Sequence, residues 1–460
     1  MKIEKSKYKF KLIPQNTPTL KTKYREIKTK IPHKNDVKIF KSIINKETSS
    51  LENQLPIVWH RAKNFNLYDR WGNKWIDLTS AIFVANTGHA NKKSIKNIKK
   101  IINKGLLHSY CYPTVERQNF LNKLIKITPR YLNQASLVTT GTEASERAIK
   151  LAKLYGMKFF PTKDIIIGGT GNFHGKTMGA MMAASTNVAK KWIGKLKTDM
   201  RHIPFPYPWI IKKNNSSERK AFQQDIKKIL NKGVDPKKIA AFIIESYQGW
   251  GAVFYPKNYI KEMAKWAKNY NVLIIVDEIQ SGFGRTGKLF GYQHYGIKPD
   301  LVICGKAISG NLPLSAVLGP KRLIELDPTL TSTHGGHPLS CTAALGNLEV
   351  LIEKNLVKRS NKLGKKLKIW LEKWKDEFSD RIPLVLGNGL VWAIFISKPN
   401  SNILDAELTD KIIEKAMQKG VYALRTGCGT IKLGPPLTIN EEALKEGINV
   451  LRSSMREILI

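Results

Sequence analysis

The feature that most constrains this chain is a regular exchange between short apolar runs and amphipathic helical stretches, beginning at Leu137. LVTT leads into a helical pattern over Glu143 to Met157, and DIIIGG follows at 164–169. AAFIIES at 240–246, VLIIVDE at 272–278 and LVICGK at 301–306 continue the series. This alternation predicts βαβ units, and so an α/β domain with a largely parallel sheet covered by helices on both faces.

In such a sheet, ligands sit beyond the carboxyl ends of the strands, so the residues deposited there are the informative ones. The run at Ile165–Ile167 leads to Phe173 and His174, AAFII ends in Glu245, VLIIV ends in Asp277 and Glu278, and LVIC leads to Lys306. One lysine, one buried carboxylate and one aromatic face together match what pyridoxal phosphate requires: an amine to bind it covalently, an anion for the pyridinium nitrogen, and a stacking partner. Taken singly, each has a plainer reading, the Asp as a turn or cap residue and the Lys as a solvated surface group.

The phosphate needs its own cradle. Thr139-Thr140-Gly141-Thr142 lies between a strand and a helix opening near Glu143, where free amides and the helix dipole favour an anion. An ordinary Thr N-cap with Glu143 in the first turn explains the same residues. Gly282-Phe283-Gly284-Arg285-Thr286-Gly287 satisfies GxGxxG, but its carboxylates precede the glycines and no helix clearly opens at Gly287, so dinucleotide binding is not expected. His334 and His337 form an HxxH pair in a glycine turn with no third ligand nearby in sequence, and no metal is expected there.

At 460 residues the chain exceeds what one hydrophobic core organises. Residues 1–50, Lys-rich and interrupted by Pro14, Pro18 and Pro32, read as an N-terminal arm; residues 51–85, 86–343 and 344–460 read as the start of a small domain, a large cofactor domain and the C-terminal part of the small domain. Trp59 to Leu78 alternates apolar and polar residues around a turn at Asp69–Asn73, predicting an antiparallel hairpin. No apolar run approaches a membrane span and the first twenty residues lack a secretory h-region, so the expected location is cytoplasmic. Four scattered cysteines suggest neither disulfides nor a CxxC site. The net charge of +41 would attract polyanions, but the lysines are spread along the chain without a nucleic-acid-binding pattern, so no specific nucleic-acid or membrane partner is expected.

GTEASERAIKLAK (141–153), FHGKT (173–177), IIVDEIQSGFGRTGKLF (274–290), CGKAISGNLPLSAVLG (304–319) and THGGHPLSC (333–341) resemble, in order and spacing, the signature segments of class III aminotransferases. The resemblance implies fold type I of the pyridoxal-phosphate enzymes, with a mainly parallel seven-stranded sheet, a smaller α+β domain, and a homodimer with shared active sites. It implies Lys306 as the Schiff-base lysine and proton shuttle, Asp277 as the pyridinium partner, Gln280 beside the ring's 3′-oxygen and Phe173 as the stacking ring. It further implies Gly141 and Thr142 in the phosphate loop, Thr333 reaching the phosphate of the neighbouring subunit's cofactor, and Glu245 as an acid behind the ring.

The substrate positions depart from the pattern. Where ornithine and 4-aminobutyrate aminotransferases carry carboxylate-binding arginines, this chain resembles them but has Lys176 and Lys432, and Trp250 stands where a Glu partner is usual. Lysine keeps the charge but loses the planar two-pronged grip. Drift from Arg to Lys explains the lysines but not Trp250, which points to a different substrate. Ile82 falls where the 4-aminobutyrate enzymes resemble Ile, which favours an ω-amine donor or is core packing. The expected reaction moves an amino group from an amine or ω-amino acid to a 2-oxo acid; racemase, decarboxylase or lyase chemistry on the same cofactor is the alternative.

Overall fold

The computed structural model describes residues 2–4, 6–48, 52–184, 192–194 and 199–459. The chain forms two compact units: Met1–Asn91 with Trp250–Ala252 and Leu356–Ile460, and Lys92–Gly249 with Val253–Asn355. The divisions thus fall after Asn91 and Asn355 rather than at 85/86 and 343/344, and the 50/51 boundary lies outside the described residues.

The larger unit is built on a seven-stranded sheet: β1 Gln134–Val138, β2 Ile165–Gly169, β3 Met200–Ile203, β4 Ile239–Glu245, β5 Leu273–Asp277, β6 Leu301–Cys304 and β7 Ser315–Gly319. Its order is β1-β7-β6-β5-β4-β2-β3. Only β7 runs against its neighbours, as the mainly parallel expectation requires. Strands β2, β4, β5 and β6 are buried along their whole length because helices cover both faces, which explains why they read as unbroken apolar runs instead of alternating. In register, Glu245 pairs with Asp277 and Asp277 with Ile303, so the carboxyl ends of three strands finish level.

The helices of this unit include α1 Lys92–Lys104, α2 Val115–Ile127, α3 Gly141–Met157 and α4 Pro338–Glu353. Helix α4 is buried almost all round, and it packs on both α1 and α2. Gly346 permits the close approach to α1, since a Cβ there would lie 2.8 Å from the Ser94 amide.

Among the described residues the smaller unit holds three sheets, one of them a parallel pair of Lys2–Glu4 with Ile403–Asp405. Residues 61–63, 66–68 and 74–77 form a meander that includes the expected hairpin about Asp69–Asn73. A four-stranded antiparallel sheet joins 384–388, 391–395, 430–433 and 424–425. The first fifty residues are more than an arm: Glu26 pairs with Lys74 in the first sheet, and a helix spans Lys34–Ile44, with its Asp36 accepting from Trp71 Nε1 at 2.9 Å. Tyr24, Ile27, Ile31, Val37 and Phe40 are buried, and it was their dispersal among lysines and prolines that hid this contribution. Among the described residues no helix is long and apolar enough to cross a membrane.

Candidate active site

A cavity of about 280 Å³ opens at the carboxyl edge of the sheet in the larger unit. Lys306, Asp277, Glu245, Phe173, His174, Gln280, Gly141, Thr142 and Lys176 all line it, so the sequence-derived set converges except for Thr333 and three substrate candidates.

Lys306 leaves β6 through Gly305 and sits at φ +46°, a left-handed conformation that costs a side-chain-bearing residue about 1–2 kcal/mol. The turn is held from behind: Asn347 Nδ2 on α4 donates to the carbonyls of Ala307 and Ile308 at 2.8 and 3.4 Å. Such strain, stabilised by its surroundings, is typical of a residue aimed for chemistry. Burial pushes the Lys306 amine below the usual lysine range, with Asp277 and Glu245 pulling the other way. The neutral, nucleophilic form is therefore accessible at lower pH than for a surface lysine.

Asp277 is buried, and both its oxygens are engaged: Oδ2 lies 2.9 Å from His174 Nδ1, and Oδ1 accepts from the Ile279 amide at 2.9 Å. These bonds fix the direction of the carboxylate. Glu245 Oε2 accepts from the amides of Phe173 and Gly249 at 3.3 and 3.2 Å, tying the aromatic segment to the end of β4. The Phe173 ring is 47% exposed, unusual for a large aromatic, and its open face belongs to the cavity wall.

The phosphate side is the start of α3. Thr140 is the N-cap in a full capping box with Glu143, and the Ala144 amide bonds to the Thr140 carbonyl. The first-turn amides of Gly141 and Thr142 thus have no partner within the helix, which is the arrangement that receives an anion. Thr142 Oγ1 meets Thr177 Oγ1 at 2.8 Å. A Cβ on Gly141 would come 2.8 Å from Ile279 Cδ1, and one on Gly175, at φ +138°, 2.1 Å from Thr142 Oγ1. At Gly175 the cradle leaves no room for a side chain, and at Gly141 a Cβ would have to displace the tip of Ile279. An amine, a fixed carboxylate, an open aromatic face and a helix N-terminus about one cavity fit pyridoxal phosphate.

Ile279 was not singled out in the sequence, yet it lies against both Gly141 and Gly305 and forms one wall. Its position two residues beyond Asp277 was the available signal. Glu278 points the other way: fully buried, it accepts from Ser246 and Ser281 hydroxyls and from the amides of Gly291 and Tyr292. Burial raises its pKa and these four donors oppose the rise, so it ties the glycine-rich segment in place. That segment forms turns, in keeping with the absence of a dinucleotide fingerprint.

Ile82, Trp250 and Lys432 belong to the smaller unit. Ser80, Ala81, Ile82 and Phe83 are consecutively left-handed, with Ile82 at φ +58° and half-exposed, while the Ser80 hydroxyl donates to the Gly434 carbonyl at 2.6 Å. Lys432 is buried with its ammonium 4.6 Å from the centroid of the Phe83 ring, a cation–π contact. Trp250 accepts through its carbonyl from Thr430 Oγ1 at 2.9 Å, and its ring meets Phe395 edge-on at 5.9 Å. Thr430 and Lys432 share one face of their strand. These three candidates therefore gather beside one another in that unit. Thr333 is exposed and does not line the cavity.

The expectation that His334 and His337 lack a third partner needs correction. Packing of α4 against α1 and α2 brings His108, from the segment joining those two helices, to the pair; ligand nitrogens of all three lie within 4.8 Å of one another. The contact joins distant segments and left no local signal.

The strand order, the lysine after β6 and the carboxylate that ends β5 fit a pyridoxal-phosphate enzyme of fold type I. The model of the family "Aminotransferase class-III" matches residues 48–455. The chain is 31% identical to ornithine aminotransferase of Emericella nidulans, over 88% of this chain and 87% of that one. It is likewise 31% identical to a leucine/methionine racemase of Thermococcus litoralis, over 88% and 91%. The solved ornithine aminotransferase of Toxoplasma gondii superposes with a TM-score of 0.80 at 25% identity, covering 93% of this chain and 97% of that one. The chain belongs to the class III aminotransferase family, and it is a pyridoxal-phosphate-dependent aminotransferase.

Proposed function

We propose that the enzyme acts as a homodimer and transfers the terminal amino group of an ω-amino acid or related amine to a 2-oxo acid, with Lys306 holding the cofactor. The convergence of Lys306, Asp277, Phe173 and the α3 N-terminus on one cavity carries this reading. Bound pyridoxal phosphate supplies a sink for the electron pair left behind when the carbon bearing the amino group loses its proton. Lys306 Nζ, which burial biases toward its neutral form, would take that proton and deliver it to the cofactor side. Asp277, oriented by the His174 ring and the Ile279 amide, would be the partner of the cofactor's ring nitrogen. Phe173 covers one ring face, and the Gly141 and Thr142 amides take the phosphate.

The Lys176 side chain on the cavity wall suits a carboxylate-bearing substrate without the bidentate arginine grip. Within the smaller unit, Ile82, Trp250 and Lys432 are substrate candidates on the family resemblance alone. An exposed Thr333 outside the cavity of its own chain supports a role toward a partner's cofactor.

A screen of ω-amino acids, diamines and α-amino acids against pyruvate and 2-oxoglutarate tests the reading. Terminal amines should convert the bound cofactor's visible absorption, with recovery on adding oxo acid. Inversion of an α-amino acid without oxo acid release would replace it with racemase chemistry.

A further inference from the structure

We propose that His108, His334 and His337 form a three-imidazole site for a late first-row divalent cation such as zinc, with the fourth position left to a non-protein ligand. The three rings lie in the larger unit, apart from the residues that line the cofactor cavity, with centroids 5.1 Å (His108–His334), 5.8 Å (His108–His337) and 6.0 Å (His334–His337) apart. Nitrogen ligands with borderline softness suit zinc, nickel and copper over calcium or magnesium, and three protein ligands with an open position form a recognised zinc geometry.

The backbone holds the cluster in place before any ion arrives. The His334-Gly-Gly-His337 turn closes through the His337 amide on the His334 carbonyl at 3.2 Å. Gly336 is left-handed at φ +76°, and a Cβ on Gly335 would come 2.5 Å from the Leu137 carbonyl. Arg117 Nη1 donates to the Gly335 carbonyl at 3.2 Å and fixes the turn against α2. His337 Nδ1 accepts from the Leu339 amide at 3.3 Å as the N-cap of α4, which leaves Nε2 as the ligand atom. That internal bond orients the ring, as the outer partners of metal-binding histidines do. His108 and His334 are exposed, so small rotations can bring their nitrogens to bonding distance. Binding would require the His337 ring to yield its interaction with the Leu107 carbonyl.

An ion there would clamp the segment between α1 and α2 to the turn that opens α4. Binding to the folded state alone raises the melting temperature in proportion to the logarithm of ion concentration.

Zinc titrated calorimetrically into the holoenzyme should bind at one ion per chain with micromolar or tighter affinity, accompanied by a rise in melting temperature. His108→Asn, His334→Asn and His337→Asn should each weaken binding at least about tenfold, a loss comparable to disturbing metal-site partners. Asparagine at 337 keeps an N-cap, so that variant separates ligand loss from helix loss. Cys111→Ser, which removes the exposed thiol three residues beyond His108, should leave the affinity unchanged. No saturable binding, affinity unchanged from the parent in the three histidine variants, or loss of binding in Cys111→Ser would each overturn the assignment.

Discussion

The cofactor cavity and the Ile82–Lys432 cluster were built by different means. The cavity's groups stand at the ends of strands held in register, and each is fixed by neighbours: Asp277 by His174 and Ile279, Glu245 by two amides, Lys306 through the Asn347 clamp. The cluster in the smaller unit depends on a left-handed run at Ser80–Phe83 and on one buried lysine lying over an aromatic ring. Chemistry common to a family needs the first kind of construction. We propose that substrate choice is set through the second, where changing one or two side chains would rewrite it.

The sharpest break of this contrast is Lys306→Ala. It should reduce turnover by at least on the order of 100- to 10,000-fold, the range for a positioned acid–base group, and more where covalent attachment is also lost. Stopped-flow assay at saturating donor and acceptor decides it, and residual activity within tenfold of the parent would remove Lys306 from the centre of the site. Asp277→Asn follows. With the charge gone and the His174 bond altered, kcat should fall on the order of 100-fold or more at little cost in fold, read by circular dichroism alongside kinetics.

A third test uses pH. Desolvation lowers the Lys306 pKa, so below that value the folded chain carries a buried ammonium at full cost, and the cost is relieved as pH rises toward the ordinary lysine value of 10.5. In that window the unfolded chain binds more protons, so the apoprotein gains stability with pH. Its rate of cofactor capture should rise about tenfold per pH unit and level off below 10.5, whereas a midpoint at or above that value would mean Lys306 is not desolvated.

Lys432→Met probes the other region. Methionine keeps length and apolar packing while removing the charge, so KM for a carboxylate-bearing substrate should rise roughly 10- to 100-fold, the worth of a hydrogen bond to a charged group, with kcat less affected. An unchanged KM would make Lys432 a packing residue over Phe83.

How legible each region was depends on the same contrast. Strand ends, lysine and carboxylates could be read from the sequence because hydrophobic runs mark the strands and the chemistry sits at their ends. The capping box at Thr140 was likewise local. Ile279 escaped because an apolar wall residue looks like any core residue, and Asn347 because a polar side chain inside a helix gives no sign of what it bonds. The structural part of residues 20–44 was masked by surrounding lysines. His108 joined the histidine pair only through helix packing, which no local pattern encodes.

The smallest effect is expected at Ile82, where site and core readings differ in the size of the stability loss. A β-branched residue at φ +58° bears about 1–2 kcal/mol of strain that glycine would relieve. Glycine gives back roughly 0.5–1 kcal/mol in chain entropy. Because the side chain is half-exposed, about half of the roughly 1.5–3 kcal/mol for full burial is lost as well. These nearly cancel, so Ile82→Gly should change stability by less than about 1 kcal/mol while shifting KM for the donor. A loss above about 3 kcal/mol, within the range for truncating a well-packed core residue, would show that Ile82 packs the core. A stable variant with an altered donor preference would show that the strained run is kept for the substrate, since nothing in the fold would then require a branched side chain at that angle.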